Sequence, residues 1–119
     1  MDFSFSEGHK QIRNGVRRFF AEKVEPLVDK SEDTETFPKE LFREFADFGV
    51  LGARYPEVDG GSGYDKVTDC IIREEMSYVS QSVSASWSAH THLGMWPIWR
   101  SGTPRQKERF CLPAFNGQM

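Results

Sequence analysis

The groups in this 119-residue chain that could bind a metal, attack a carbonyl or move a proton are three histidines, two cysteines and eighteen acidic residues. His90 and His92 stand two apart, which on a helix turns their side chains roughly 200° from each other, so they cannot grip one metal ion together. Glu74 and Glu75 are adjacent and diverge in the same way. That spacing gives a solvated or capping pair rather than a paired acid and base. Cys70 and Cys111 lie in apolar contexts without CxxC spacing, and read as two buried, reduced thiols in a reducing compartment. Asp59-Gly60-Gly61-Ser62-Gly63 has the glycine content of a phosphate cradle. No strand is predicted ahead of it, and both the P-loop and the dinucleotide motif require one.

One pattern does suggest a ligand surface. Ser84, Ser88 and His92 follow at four-residue steps, with Ala85 and Ala89 beside them, on a segment otherwise rich in Trp, Leu, Met and Ile. A stripe of small and polar side chains on such a helix leaves room for a second helix or for a slender ligand. Trp87, Trp96 and Trp99 share the segment. Without a strongly cationic face they are expected in the core or against a partner domain, not at a membrane surface.

Helices must position these groups. Ile12, Val16, Phe19, Phe20 and Val24 recur at helical spacing and predict a first helix over about 6–24, with Ser6 as N-cap. Residues 26–37 are polar and acidic and read as a solvated connection. A second helix opens at Pro38, carries Leu41, Phe42, Phe45 and Phe48 on one face, and stops at Gly49. Pro56, Gly60, Gly61 and Gly63 make 50–63 a long loop. A third helix over about 65–78 is expected to bury Val67, Cys70, Ile71 and Met76, with Arg73, Glu74 and Glu75 on its polar side. The serines at 77–84 predict a break and a new start near Ser80 to Ser82. A fourth helix, about 83–100, is apolar nearly all round and so expected to be central and buried, with a kink at Pro97. Thr103, Pro104 and Gln106 have the spacing of a capping box, so a fifth helix starts there and is expected to end before Pro113.

No alternating pattern of strand length occurs. The expected fold is all-α, an up-down bundle of about five helices in one domain over 1–119. A hydrophobic fraction of 38% with 13% aromatics supplies a core. Trp96, Trp99, Phe110 and Phe115 exceed what that core needs, which predicts exposed apolar surface and self-association. The net charge of −3, with both signs interspersed, gives no basic face for nucleic acid. The chain has neither a leader-like start nor an apolar run of about 18 residues, which points to a cytoplasmic protein without membrane insertion.

In order, these pieces resemble the N-terminal helical domain of the acyl-CoA dehydrogenase family. The resemblance is carried by Ile12 to Phe20 with Val24-Glu25-Pro26, by Phe37-Pro38-Lys39-Glu40-Leu41, and by Phe48-Gly49-Val50-Leu51-Gly52 with Tyr55-Pro56-Glu57 and Gly60-Gly61-Ser62-Gly63. Arg73-Glu74-Glu75-Met76 follows, then Leu93-Gly94, Pro97-Ile98, Ser101-Gly102-Thr103, Gln106-Lys107, Leu112-Pro113 and Asn116-Gly117. Asp59 departs from the pattern, standing where an aromatic is common, and so does Gln118, where an acidic residue is common.

The resemblance implies a fragment of an FAD enzyme that oxidises an acyl-CoA thioester to the enoyl-CoA. A glutamate base, the flavin site, a middle β-domain and a C-terminal α-domain would all lie beyond residue 119, so no catalytic and no cofactor-binding residue is expected here. This domain would form one wall of the acyl pocket through Ser84, Ala85, Ser88 and His92, with bulky Trp87 beside it. The implied partners are acyl-CoA, an electron-transfer flavoprotein and further copies of the chain as a homo-oligomer. Two alternatives remain: a freestanding helical module that binds an acyl group or a protein, and a domain of a related acyl-CoA oxidase or flavin monooxygenase.

Overall fold

Helix α1, Glu7–Lys23, opens as its sequence requires: Ser6 Oγ accepts the His9 amide at 3.1 Å, while Val16, Phe19 and Phe20 are buried. The computed structural model describes residues 1–118. The next segment overturns an expectation. Residues 25–33 are not a solvated connection but a second helix, α2, Glu25–Asp33. Val24 closes α1 by donating to Phe20 O, and Pro26, with φ already fixed for helix, starts the next rod. Most of α2 is charged and exposed. Only Leu27 and Val28 pack on the core, too short a stripe to register as a period in the sequence.

Helix α3, Leu41–Phe48, starts three residues after Pro38, beyond a turn closed by Leu41 N–H to Pro38 O. It ends at Gly49, whose φ of 88° is left-handed, the conformation glycine adopts without a Cβ penalty. Leu41 and Phe45 are buried, and Phe48 stacks on Phe19 with ring centroids 4.2 Å apart. The long loop after it contains a single 3-10 turn, Glu57–Asp59. It doubles back on itself, with Ser62, Gly63 and Tyr64 donating to Gly52, Tyr55 and Ala53. The fold-back is so tight that a Cβ on Gly61 would lie 2.1 Å from Tyr55 O.

Helix α4, Lys66–Val79, buries Thr68, Ile71, Ile72, Glu75 and Met76. Its inward face is therefore rotated from the expected one: Val67 and Cys70 are exposed, and Glu75 is inside at 3% exposure. Arg17 of α1 draws Glu75 in, donating from Nε and Nη2 at 2.8 Å each, and Arg13 stands beside the same carboxylate. Cys111 is buried as anticipated, and burial pushes its thiol pKa up.

The last two rods each pass through a widened π turn. The first runs as α5, Gln81–Ser88, a π segment Ala89–Gly94, and α6, Met95–Ser101. The second runs as α7, Pro104–Gln106, a π segment Lys107–Cys111, and α8, Leu112–Phe115, with the capping box at Thr103 and Gln106 complete. Pro97 and Pro113 follow those π segments by three and two residues. A proline lacks the N–H for the helical bond, and its ring presses on the carbonyl four residues back. A wider turn just upstream moves that carbonyl aside, so the distortion precedes Pro97 and the helix runs on through Pro113 instead of ending.

No strand occurs among the described residues, and the helices form an all-α bundle. The molecule is 21 Å thick, about two helix diameters, which makes it two layers deep. One core gathers α1, α3, α4 and α5 around Phe20, Phe45, Ile72, Met76 and Trp87. A second lies under the last rod, around Tyr55, Ala114 and Phe115. Phe115 is thus core, not surplus, and Trp96, Trp99 and Phe110 are half-buried. The exposed apolar side chains are others, including Val58, Tyr78, Leu93 and Leu112.

Asp65 caps α4 by accepting the Thr68 amide at 2.7 Å and meets His9 Nε2 at 2.9 Å. The Thr68 N–H, then His9, hold its carboxyl pKa down at about 2. A pKa lowered on folding contributes stability above the ordinary value near 3.8, and that contribution is lost as pH falls towards 2. Thermal unfolding of the chain between pH 5 and 2 is expected to show this loss. Asp65→Asn keeps a capping oxygen and should flatten that part of the profile.

Candidate functional site

Ser80 joins the two helices that matter most. It ends α4 by donating to Met76 O and begins α5 by accepting the Val83 amide at 3.3 Å. The chain therefore turns sharply and α5 packs back along α4, bringing two polar stripes face to face. Ser77 gives its proton to Arg73 O, so across the seam Ser84 donates to Ser77 Oγ at 2.8 Å. Further along, Ser88 Oγ lies 3.3 Å from His92 Nδ1, and His92 Nε2 lies 2.7 Å from Asp69 Oδ2.

The expected stripe is thus brought together, but three of its members turn towards α4. Ser84 is 1% exposed beneath Ser77, and Ser88 and His92 are half-buried. Ala85 is exposed, as are Ala89 and Leu93, the last at 75%. The fourth helix is therefore not buried all round. Its free face is the row of Ala85, Ala89 and Leu93, bordered by Ser88 and His92. Asp69 was missed because no local motif marks it. A signal did exist: Asp69, Arg73 and Ser77 repeat at four-residue steps, matching the stripe on α5.

The remaining side chains of this rod point elsewhere. Trp87 is fully buried in the core, donates from Nε1 to Val50 O at 3.0 Å, and packs edge-on against His92 with ring centroids 5.0 Å apart. His90 reaches the Ala114 carbonyl at 3.1 Å, on a different side from His92. In the π segment the Met95 amide bonds the His90 carbonyl, the Thr91 hydroxyl donates to Leu51 O, and the Thr91 carbonyl takes the Tyr55 hydroxyl. Burial raises the pKa of that hydroxyl, which keeps it a donor.

The glycine loop is filled by its own backbone at Gly61. The hollow of about 420 Å³ beside it sets Glu57, Asp59 and Glu108 against Lys107, a poor place for a diphosphate. Asp59 is engaged by Trp99 Nε1 at 2.8 Å. Among the described residues no three His, Cys, Asp or Glu side chains are grouped to hold a metal ion. No helix among them is long and apolar enough to cross a membrane.

Comparison with known proteins decides the kinship. The family model for the acyl-CoA dehydrogenase N-terminal domain matches residues 6–118. The chain belongs to the acyl-CoA dehydrogenase family. Its sequence is 34% identical to mitochondrial isovaleryl-CoA dehydrogenase of Solanum tuberosum over 96% of the chain and 28% of that protein. It is 31% identical to the short-chain-specific acyl-CoA dehydrogenase of Clostridium acetobutylicum, over 99% of the chain and 31% of that enzyme. The butyryl-CoA dehydrogenase structure from Megasphaera elsdenii superposes with a TM-score of 0.85 at 31% identity, covering 98% of the chain and 31% of that protein. The chain therefore spans about three tenths of the relatives it matches.

In this acyl-CoA dehydrogenase domain Trp87 is a structural residue, which makes a prediction. Trp87→Phe keeps an aromatic in the core but leaves Val50 O without its donor, at a cost of about 1–3 kcal/mol in urea unfolding. Exposure of the Ala85, Ala89 and Leu93 row to solvent probes should be unchanged.

Proposed function

We propose that this domain forms one wall of the acyl pocket in an FAD-dependent acyl-CoA dehydrogenase, which oxidises an acyl-CoA thioester to the α,β-enoyl-CoA. The observation that carries this reading is the free face of α5. A slender alkyl chain needs a shallow apolar channel, and Ala85 and Ala89 keep the helix surface low along one line, with Leu93 at its end. Ser88 and His92 border that line, while Ser84 holds the helix from behind through Ser77.

The domain binds and orients; by family resemblance the base and the flavin site belong to other parts of the enzyme. FAD as its cofactor is supported by the glutaryl-CoA dehydrogenase of Mycobacterium smegmatis, solved in complex with FADH2, whose structure matches with a TM-score of 0.90 at 26% identity. An electron-transfer flavoprotein as electron acceptor is supported by a 36% identical relative, the caffeyl-CoA reductase-Etf complex subunit CarC of Acetobacterium woodii. Homo-oligomerisation is supported by the apolar side chains left exposed away from that row, Tyr78 and Leu112 among them. The two free thiols suit a reducing compartment such as the cytoplasm.

The test is anaerobic addition of acyl-CoA to the flavin-loaded, full-length protein. Bleaching of the oxidised flavin spectrum is expected. Ala89→Phe, which places a ring in the channel, should lower kcat/KM about 100-fold without changing the circular dichroism. Unchanged turnover in that variant would contradict the assignment of the wall.

A further inference from the structure

We propose that the hollow between α2 and the start of α5 binds a free α-amino acid with an apolar side chain, held as its zwitterion. The hollow has a volume of about 230 Å³ and lies where α2, the turn into α3 and the first residues of α5 meet. That is below the roughly 300–1,000 Å³ of sites for drug-sized molecules, so a small occupant suits it. Leu27, Val28, Phe37, Leu41 and Val83 form its apolar walls. Such walls gain most from a branched aliphatic side chain that removes them from water.

The polar groups of the hollow set what else the occupant carries. Ser80 lines it at 8% exposure; its Oγ accepts the Val83 amide at 3.3 Å, and among the described residues nothing accepts its proton. A buried hydroxyl with an unused proton calls for an acceptor. Ser82 lines the hollow beside it, in the first turn of α5, where backbone amides have no intrahelical partner and the helix dipole favours negative charge. A carboxylate satisfies both. From the α2 side come Glu32 and Glu35, the two charged residues that line the hollow, and neither is ion-paired among the described residues. Residues 25–40 hold six acidic side chains against two basic ones, a net charge of −4 where the whole chain carries −3. A mouth of that sign draws in an ammonium group. A fatty acid would lack the cation and an alkylamine the acceptor, whereas an apolar amino acid brings both with its side chain.

The test is calorimetric titration of L-leucine into the full-length protein, with N-acetyl-leucine and leucinamide as probes that lack the ammonium and the carboxylate. Saturable binding of L-leucine with a Kd of about 0.1–1 mM is expected. Each blocked probe should bind at least about tenfold more weakly, because it leaves one end of the hollow unanswered. Glu32→Gln combined with Glu35→Gln alters two exposed side chains, so the fold is kept, and it should weaken L-leucine at least about tenfold. Leu27→Trp, which fills the hollow, should abolish binding. No saturable heat with L-leucine at about 10 mM would overturn the inference. So would equal binding of N-acetyl-leucine, or binding that survives both the paired glutamate variant and Leu27→Trp. None of these outcomes bears on the acyl-pocket reading, which flavin reduction tests.

Discussion

The buried carboxylate of Glu75 fixes how α4 lies on α1, and the arrangement of the other helices follows from it. An ionised carboxylate at 3% exposure is stable only where hydrogen bonds replace water, and Arg17 supplies two of them in the planar fork that matches its two oxygens. The same contact, by hydrogen bond and by charge, holds the Arg17 guanidinium above its ordinary range. Arg13 stands alongside and bonds Glu74. Turning α4 by one position would bury Glu74 and expose Glu75, so the clamp sets rotation as well as position.

With that rotation fixed, α4 has two inward stripes instead of one. Ile71, Ile72 and Met76 meet the aromatic core made by Phe20 and Phe45. Asp69 and Ser77 meet the facing rod through His92 and Ser84. The α5 rod divides its surface in turn: Val83, Trp87 and Thr91 go to the core, and Ser84, Ser88 and His92 go to α4. The small row at Ala85 and Ala89 is left free. The π turn at Ala89–Gly94 lets the rod change phase before Pro97, and Tyr55 and Thr91 absorb the disturbed hydrogen bonding. An exposed row of small and apolar side chains is what remains once the other faces of the rod are occupied.

Much of this was legible in the residues alone. Helix ends with a local signal were found correctly at Ser6, Gly49 and Thr103, and the start at Ser80 within the range Ser80 to Ser82, because each is decided within three or four residues. The family was legible for a related reason, since its short pieces lie in fixed order. What failed was decided at long range. Helix α2 was hidden because only Leu27 and Val28 of nine residues face inward. Glu75 was placed on the polar side because charge argues for solvent unless a partner is known, and Arg17 lies 58 positions away. Pro113 read as a terminator and Pro97 as a kink because a π turn leaves no mark in sequence. The stripe at Ser84, Ser88 and His92 was seen, and the helix that faces it was not.

The most direct test of the clamp is a double-mutant cycle between Arg17 and Glu75, followed by urea unfolding of the wild-type chain, Arg17→Ala, Glu75→Gln and the double variant. If a buried carboxylate held by Arg17 sets the packing of α4, Arg17→Ala destabilises the wild-type chain clearly and costs little more once Glu75 is neutral. Losses that simply add would mean that Arg17 and Glu75 act independently, and that the rotation of α4 is set by something else.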